Sequence, residues 1–165
     1  MLLEFALSNT WVGRLSMWSM SRDNGDQNSL GSSSMIQQSS LAFSSIFVKV
    51  ENSNVGTAIS TTPVVVAPST PSVSTPTSSG WPSQFFAPFC DVLLYPSFNV
   101  AAAAKATGVY YYHLAFIVSD GSGNPSWGGS VALSQKWYMT ELTQLRAIGG
   151  DVIISFGGAS GKDIN

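Results

Sequence analysis

Residues 149–161 read GGDVIISFGGASG, and this stretch decides the fold class. Asp151 to Phe156 is a short apolar run between glycines, the pattern of a strand covered on both faces. Working back from it, Tyr138, Leu142 and Leu145 repeat at i, i+4 and i+7, which predicts an amphipathic helix closed by Gly149. SDGSGNPSWGGS (residues 119–130) reads as a loop, and VYYYHLAFIV (109–118) as a second buried strand. FNVAAAAKATG (98–108) reads as a helix closed by Gly108, and FFAPFCDVLL (85–94) as a third apolar strand. The order is strand-helix-strand-helix-strand, so an α/β fold is expected, with a parallel sheet and right-handed crossovers.

The chain has 165 residues and a formal net charge of −2, with no basic cluster to neutralise phosphates. Nucleic acid and anionic membrane surfaces are therefore poor partners. Cys90 is the single cysteine, which excludes an internal disulfide and a multi-cysteine zinc site. It sits in an apolar run and reads as a buried small hydrophobe. His113, the single histidine, has no sequence partners for a metal site or a nucleophile relay and reads as a packed residue. No metal and no cofactor are expected. The N-terminal MLLEFALSNTWVGRL carries Glu4 where an export signal needs positive charge, and no run reaches the roughly 20 apolar residues of a membrane span.

Composition divides the chain into three. In residues 1–51, VGRLSMWSM (12–20) has the bulky apolar character of a strand, and SRDNGDQNSLGSSS (21–34) is a polar loop. MIQQSSLAFSSIFVKV (35–50) places Met35, Ile36, Leu41, Phe43 and Phe47 at helical spacings. Residues 52–80 are dominated by serine, threonine and proline, and no charged residue occurs in them. Such a segment cannot bury enough surface to offset its backbone entropy, so a disordered linker is expected. Residues 81–165 hold the strand-helix repeat.

FAPFCDVLLYP, YYHLAFIVSDGSGNPSWGG and GGDVIISFGGASG together resemble the first three strand segments of a glycoside hydrolase family 18 chitinase of the bacterial chitinase D-like type. Ser155-x-Gly157-Gly158 matches that family's third-strand S-x-G-G signature. GRLSMWSMSRDN resembles the eighth strand of the same barrel, and SSLAFSSIF its last helix. The resemblance implies a partial TIM (β/α)8 barrel, incomplete and not closed. Residues 1–51 would be the end of one chitinase-like domain, 52–80 the linker, and 81–165 the start of a second. The composition of residues 52–80 points to an extracellular parent, since linkers of this kind often carry O-linked sugars in secreted proteins.

The implied chemistry is hydrolysis of β-1,4-N-acetylglucosamine linkages. In the family a D-x-x-D-x-D-x-E glutamate protonates the glycosidic oxygen, and the substrate's N-acetyl oxygen attacks the sugar carbon, an exception to the usual carboxylate pair. Glu4, Glu51 and Glu141 are the only glutamates, and none stands in that motif. No catalytic residue is assigned, and the chain reads as a chitinase fragment, inactive alone. The rival readings are a non-catalytic chitin-binding remnant and a piece without function of its own.

As sugar contacts the resemblance implies Trp18, a tryptophan floor for the −1 sugar, with a core aromatic as the alternative. Phe116 falls where the family places an aromatic near that subsite, against an ordinary buried strand phenylalanine. Trp127 is on the βα-loop face, with groove contact and loop packing both open. Ser155 belongs to the S-x-G-G signature, whose glycines read as architecture that leaves space beneath the sugar. The expected ligand is chitin or a chitooligosaccharide. The eighth, first, second and third strands are neighbours in such a barrel, so LSMWSM should lie parallel to and beside FCDVLL in an open sheet.

Overall fold

A computed structural model describes residues 2–27, 29, 31–52 and 81–159. The linker expectation lies outside these, apart from Asn52, which instead ends a helix. The elements in order are α1 (Leu2–Ser8), β1 (Arg14–Leu15), α2 (Ala42–Phe47), α3 (Lys49–Asn52), β2 (Phe85–Phe86), β3 (Phe89–Asp91), α4 (Val100–Thr107), β4 (Tyr111–Ser119), β5 (Pro125–Trp127), β6 (Val131–Ala132), α5 (Met139–Arg146) and β7 (Asp151–Phe156).

The central strand is β4, whose residues are buried except for half-exposed Phe116. β3 pairs with it in parallel (Phe89 opposite His113, Asp91 opposite Ala115), and β7 pairs in parallel too (Tyr111 opposite Asp151, Leu114 opposite Ile154). β1 lies parallel to β2, and that pairing continues toward β3 through Ala87 N–H to Leu15 O (2.8 Å) and Phe89 N–H to Met17 O (2.9 Å). Four chain segments thus run parallel, in the order 13–17, 85–91, 111–119 and 151–156. Pairing of the first two is set earlier along both than LSMWSM against FCDVLL, and it ends before Trp18. The sheet does not close: among the described residues β7 pairs with β4 alone.

Helix α4 forms because an alanine run of high helix propensity is stopped cleanly at both ends. Asn99 Oδ1 accepts from Ala102 N–H (2.8 Å), and Gly108, at φ +78°, returns its N–H to Ala104 O (2.8 Å). Tyr112 donates to Val100 O (3.3 Å), and Tyr138, just before α5, donates to Phe98 O and contacts the Cys90 sulfur at 3.4 Å. These side chains put α4 and α5 on one face of the sheet. Burial pushes the Cys90 thiol up to about 11, so it stays protonated as a packed hydrophobe.

Three expectations need correction. Residues 119–130 are not all loop: β5 and β6 form an antiparallel hairpin against the end of β4. The turn that joins β4 to β5 is built locally, with the Asp120 carboxylate accepting from Ser122 N–H (2.8 Å) and Asn124 N–H (3.2 Å). The helix expected from Met35 begins only at Ala42, because Met35 and Leu41 have φ of +58° and +61°, outside helical space. VGRLSMWSM is strand only at Arg14–Leu15, and its Met20 begins a 3-10 turn. The N-terminus, for which no element was expected, forms α1, whose Leu3, Ala6 and Leu7 face the core at i, i+3 and i+4.

The two described parts share one core, in which Met20, Val48 and Val50 join Phe86, Tyr112 and Leu145. Polar contacts fix their seam. Buried Gln84 donates to Ala6 O (3.0 Å) and Val12 O (2.8 Å), and the Phe86 N–H donates to Glu51 Oε1 (3.2 Å). Within the first part, buried Asp23 does the work of a missing cap on α2. Its carboxylate accepts from Gln38 Nε2 (2.6 Å), Phe43 N–H (3.1 Å), Ser44 N–H (2.7 Å) and Ser44 Oγ (2.6 Å). Hydrogen bonds to a charged acceptor exceed neutral ones, and removing it strands buried donors. Asp23→Ala should therefore lower unfolding stability by about 3 kcal/mol. Urea denaturation checks this; a loss below about 1 kcal/mol would mean that the carboxylate is not what holds α2.

Candidate functional site

Where the parallel segments end, four of them converge on one depression. Trp18 follows the first segment, Asp91 ends β3, Phe116 lies in the second half of β4, and Gly157 and Gly158 follow β7. These residues line an open cavity of about 560 Å³, walled further by Leu93 and Gly128. The carboxyl ends of parallel strands are the usual place for a ligand in α/β folds, because loops rather than helices occupy that end.

The floor is aromatic. Trp18 and Phe116 stack with ring centroids 5.3 Å apart and planes within 13°. Phe89 packs against both, at 5.7 Å from Trp18 and 5.9 Å from Phe116. Trp18 keeps 48% of its surface exposed, so its ring is held from one side and open on the other. Phe116 owes its position to an irregularity: β4 and β7 are in register up to Leu114 and Ile154, and then Ile117 stands opposite Phe156. The extra residue turns the Phe116 ring into the cavity. Gly158 completes the arrangement, since a Cβ on it would come within 3.0 Å of Phe116 Cδ2, and its φ of +99° also favours glycine.

Beneath the floor lies a polar pair. His113 is only 4% exposed, its ring stacks on Phe89 at 4.7 Å, and its Nδ1 is 3.3 Å from Ser155 Oγ. Burial, aided by the Arg14 charge, lowers His113 to about 4, so its ring is neutral near pH 7. Its Nε2 has no hydrogen-bond partner among the described residues. Asp91 is the one ionisable side chain among the described residues of the cavity wall, and its Oδ1 accepts from Leu93 N–H (3.0 Å). No described group of three His, Cys, Asp or Glu side chains could hold a metal ion.

Of the residues singled out from sequence, Trp18 and Phe116 come together on the cavity. Ser155 sits one layer behind, at His113. Trp127 is 7% exposed in β5 and packs in the core, while its neighbour Gly128 reaches the wall. Sequence reading missed Asp91 and Phe89. The signal for Asp91 was available, because it is the one charge in the apolar run FFAPFCDVLL. Phe89 gave none, being one phenylalanine among several.

No protein-family model matches the chain. Over 90 residues, 53% of this chain, it is 36% identical to the probable bifunctional chitinase/lysozyme of Escherichia coli (strain K12), of which that match covers 10%. Over 88 residues it is 34% identical to endochitinase 11 of Metarhizium anisopliae, covering 53% of this chain and 16% of the relative. The catalytic domain of a hyperthermophilic chitinase from Pyrococcus furiosus is 43% identical over 47% of this chain and 26% of its own; its TM-score of 0.42 is too low to establish the fold. The chain therefore spans between a tenth and a sixth of the curated relatives it matches, and over about half of its own length it is similar in sequence to chitinases.

Proposed function

We propose that this chain is part of a family 18 glycoside hydrolase and that its cavity holds one pyranose ring of a chitin chain. The observation that carries the reading is the Trp18–Phe116 floor, assembled from distant parts of the sequence at the carboxyl ends of parallel strands. A half-open indole face offers apolar surface to the C–H face of a sugar ring, and a wall with a single carboxylate suits an uncharged one. The names of the relatives supply the sugar class. On this reading the segments 85–91, 111–119 and 151–156 are the first three strands of a (β/α)8 barrel, and residues 13–18 fill the place of the eighth. Residues 52–80 join two such domains of an extracellular parent.

The second reading, a module that binds chitin without cleaving it, is favoured by one observation for the chain as it stands. No D-x-x-D-x-D-x-E occurs in its sequence, and the described cavity wall has Asp91 as its sole acid. Both readings require the cavity to take the sugar. Wild-type protein should be retained on chitin beads and released by chitooligosaccharide, and Trp18→Ala should lower retention at least about tenfold, a typical loss for an aromatic stacking contact. Equal retention of the two proteins would overturn the assignment of the cavity.

A further inference from the structure

We infer that Asp91 is the polar anchor of the cavity: its second carboxylate oxygen accepts a hydrogen bond from a hydroxyl of an uncharged pyranose seated against Trp18 and Phe116. The inference rests on the proposal that the cavity takes a sugar, and it goes further by naming the side chain that orients it. An aromatic floor alone holds a ring by its face and leaves it free to rotate; a built sugar site needs at least one fixed polar group in addition.

Asp91 is the one candidate on the described wall that carries charge. Its strand position is fixed by parallel pairing, Asp91 opposite Ala115, one residue short of Phe116. Its Oδ1 is tied to Leu93 N–H at 3.0 Å, which fixes the rotamer, and Oδ2 has no hydrogen-bond partner among the described residues. Asp91 is the sole charge in its apolar run, and a turn acceptor for Leu93 alone would be served equally by asparagine or serine. A carboxylate accepts hydrogen bonds and donates none, so it suits the hydroxyls of a neutral sugar and repels a uronic acid. Hydroxyl-to-carboxylate bonds are among the stronger ones.

The test is a titration of the full chain with N-acetylglucosamine oligomers, followed by NMR, for wild type, Asp91→Asn and Trp18→Ala. Asparagine keeps an acceptor for Leu93 N–H, so the fold and the Leu93 amide signal should be retained. Affinity should fall roughly tenfold to a hundredfold, the range for losing a hydrogen bond to a charged group. An oligomer of uronic acid should not bind the wild type. Should Asp91→Asn fail to fold, Asp91→Ser carries the same comparison, since its hydroxyl also accepts from Leu93 N–H. If the wild type and Asp91→Asn bind equally while Trp18→Ala is impaired, the anchor is overturned and the sugar site stands. If the wild type binds no oligomer, the proposed function falls and the anchor falls with it.

Discussion

Mixed with an N-acetylglucosamine oligomer, the 165-residue polypeptide is expected to release no new reducing ends above a buffer control. Hydrolysis of a glycoside needs a protonated acid at the leaving oxygen together with a second group that stabilises or attacks the sugar carbon. The three glutamates are accounted for elsewhere: Glu4 lies on α1, Glu51 on α3 and Glu141 on α5, all in helices away from the strand ends that form the cavity. Asp91 stands alone on the described wall, and one of its oxygens serves Leu93 N–H. Loss of general acid catalysis typically costs about 10²–10⁴-fold in rate. Sugar release that survives removal of contaminating enzyme would overturn this expectation.

The second large effect is a cancellation of two pH dependences. Burial raises Glu51 from an ordinary 4.5 to about 7, partly offset by the hydrogen bond from Phe86 N–H. The folded state therefore holds a proton on Glu51 that the unfolded chain releases above 4.5. Its contribution is full below pH 4.5 and is lost as pH rises to 7. His113 has the opposite sign: lowered from 6.5 to about 4, it is neutral in the fold and protonated in the unfolded chain. Its contribution is full above pH 6.5 and is lost as pH falls toward 4.

Between pH 4.5 and 6.5 the two slopes oppose each other, each at most about 1.4 kcal/mol per pH unit. Wild-type stability should be nearly flat across that window. Glu51→Gln should unmask the histidine, so that stability falls on acidification by roughly 2 kcal/mol in all. His113→Asn should unmask the glutamate, so that stability falls as pH rises. Urea unfolding at several pH values separates these outcomes. A wild-type slope as steep as that of either variant would contradict the opposed pair.

How far this was legible in the sequence follows from the range of the forces involved. The alternation of YYYHLAFIV with the alanine helix and the Tyr138–Leu142–Leu145 stripe is local, and so are the stops at Gly108 and Gly149; the parallel order could be read from them. The start of α2 could not, because its cap is Asp23, far back in the chain, and the left-handed Leu41 interrupts a pattern that looks helical by spacing. The hairpin at 125–132 was hidden by a glycine-rich composition that suggests loop, although Asp120 and Ser119 close the turn that leads into it from β4. In the site, Trp18 and Phe116 came from resemblance to a family. Asp91 required knowing which face of β3 meets the cavity, which depends on register, and a one-residue slip would have placed Cys90 there instead.

The most direct test of the cavity as a sugar site uses the indole N–H signals of the five tryptophans, Trp11, Trp18, Trp81, Trp127 and Trp137, during titration with a chitooligosaccharide. Trp11, Trp81 and Trp137 are also exposed and serve as internal controls. The expected result is a saturable shift of Trp18, largest of the five, which disappears with binding in Phe116→Ala. A saturable shift at Trp11, Trp81 or Trp137 with Trp18 unmoved would contradict the assignment.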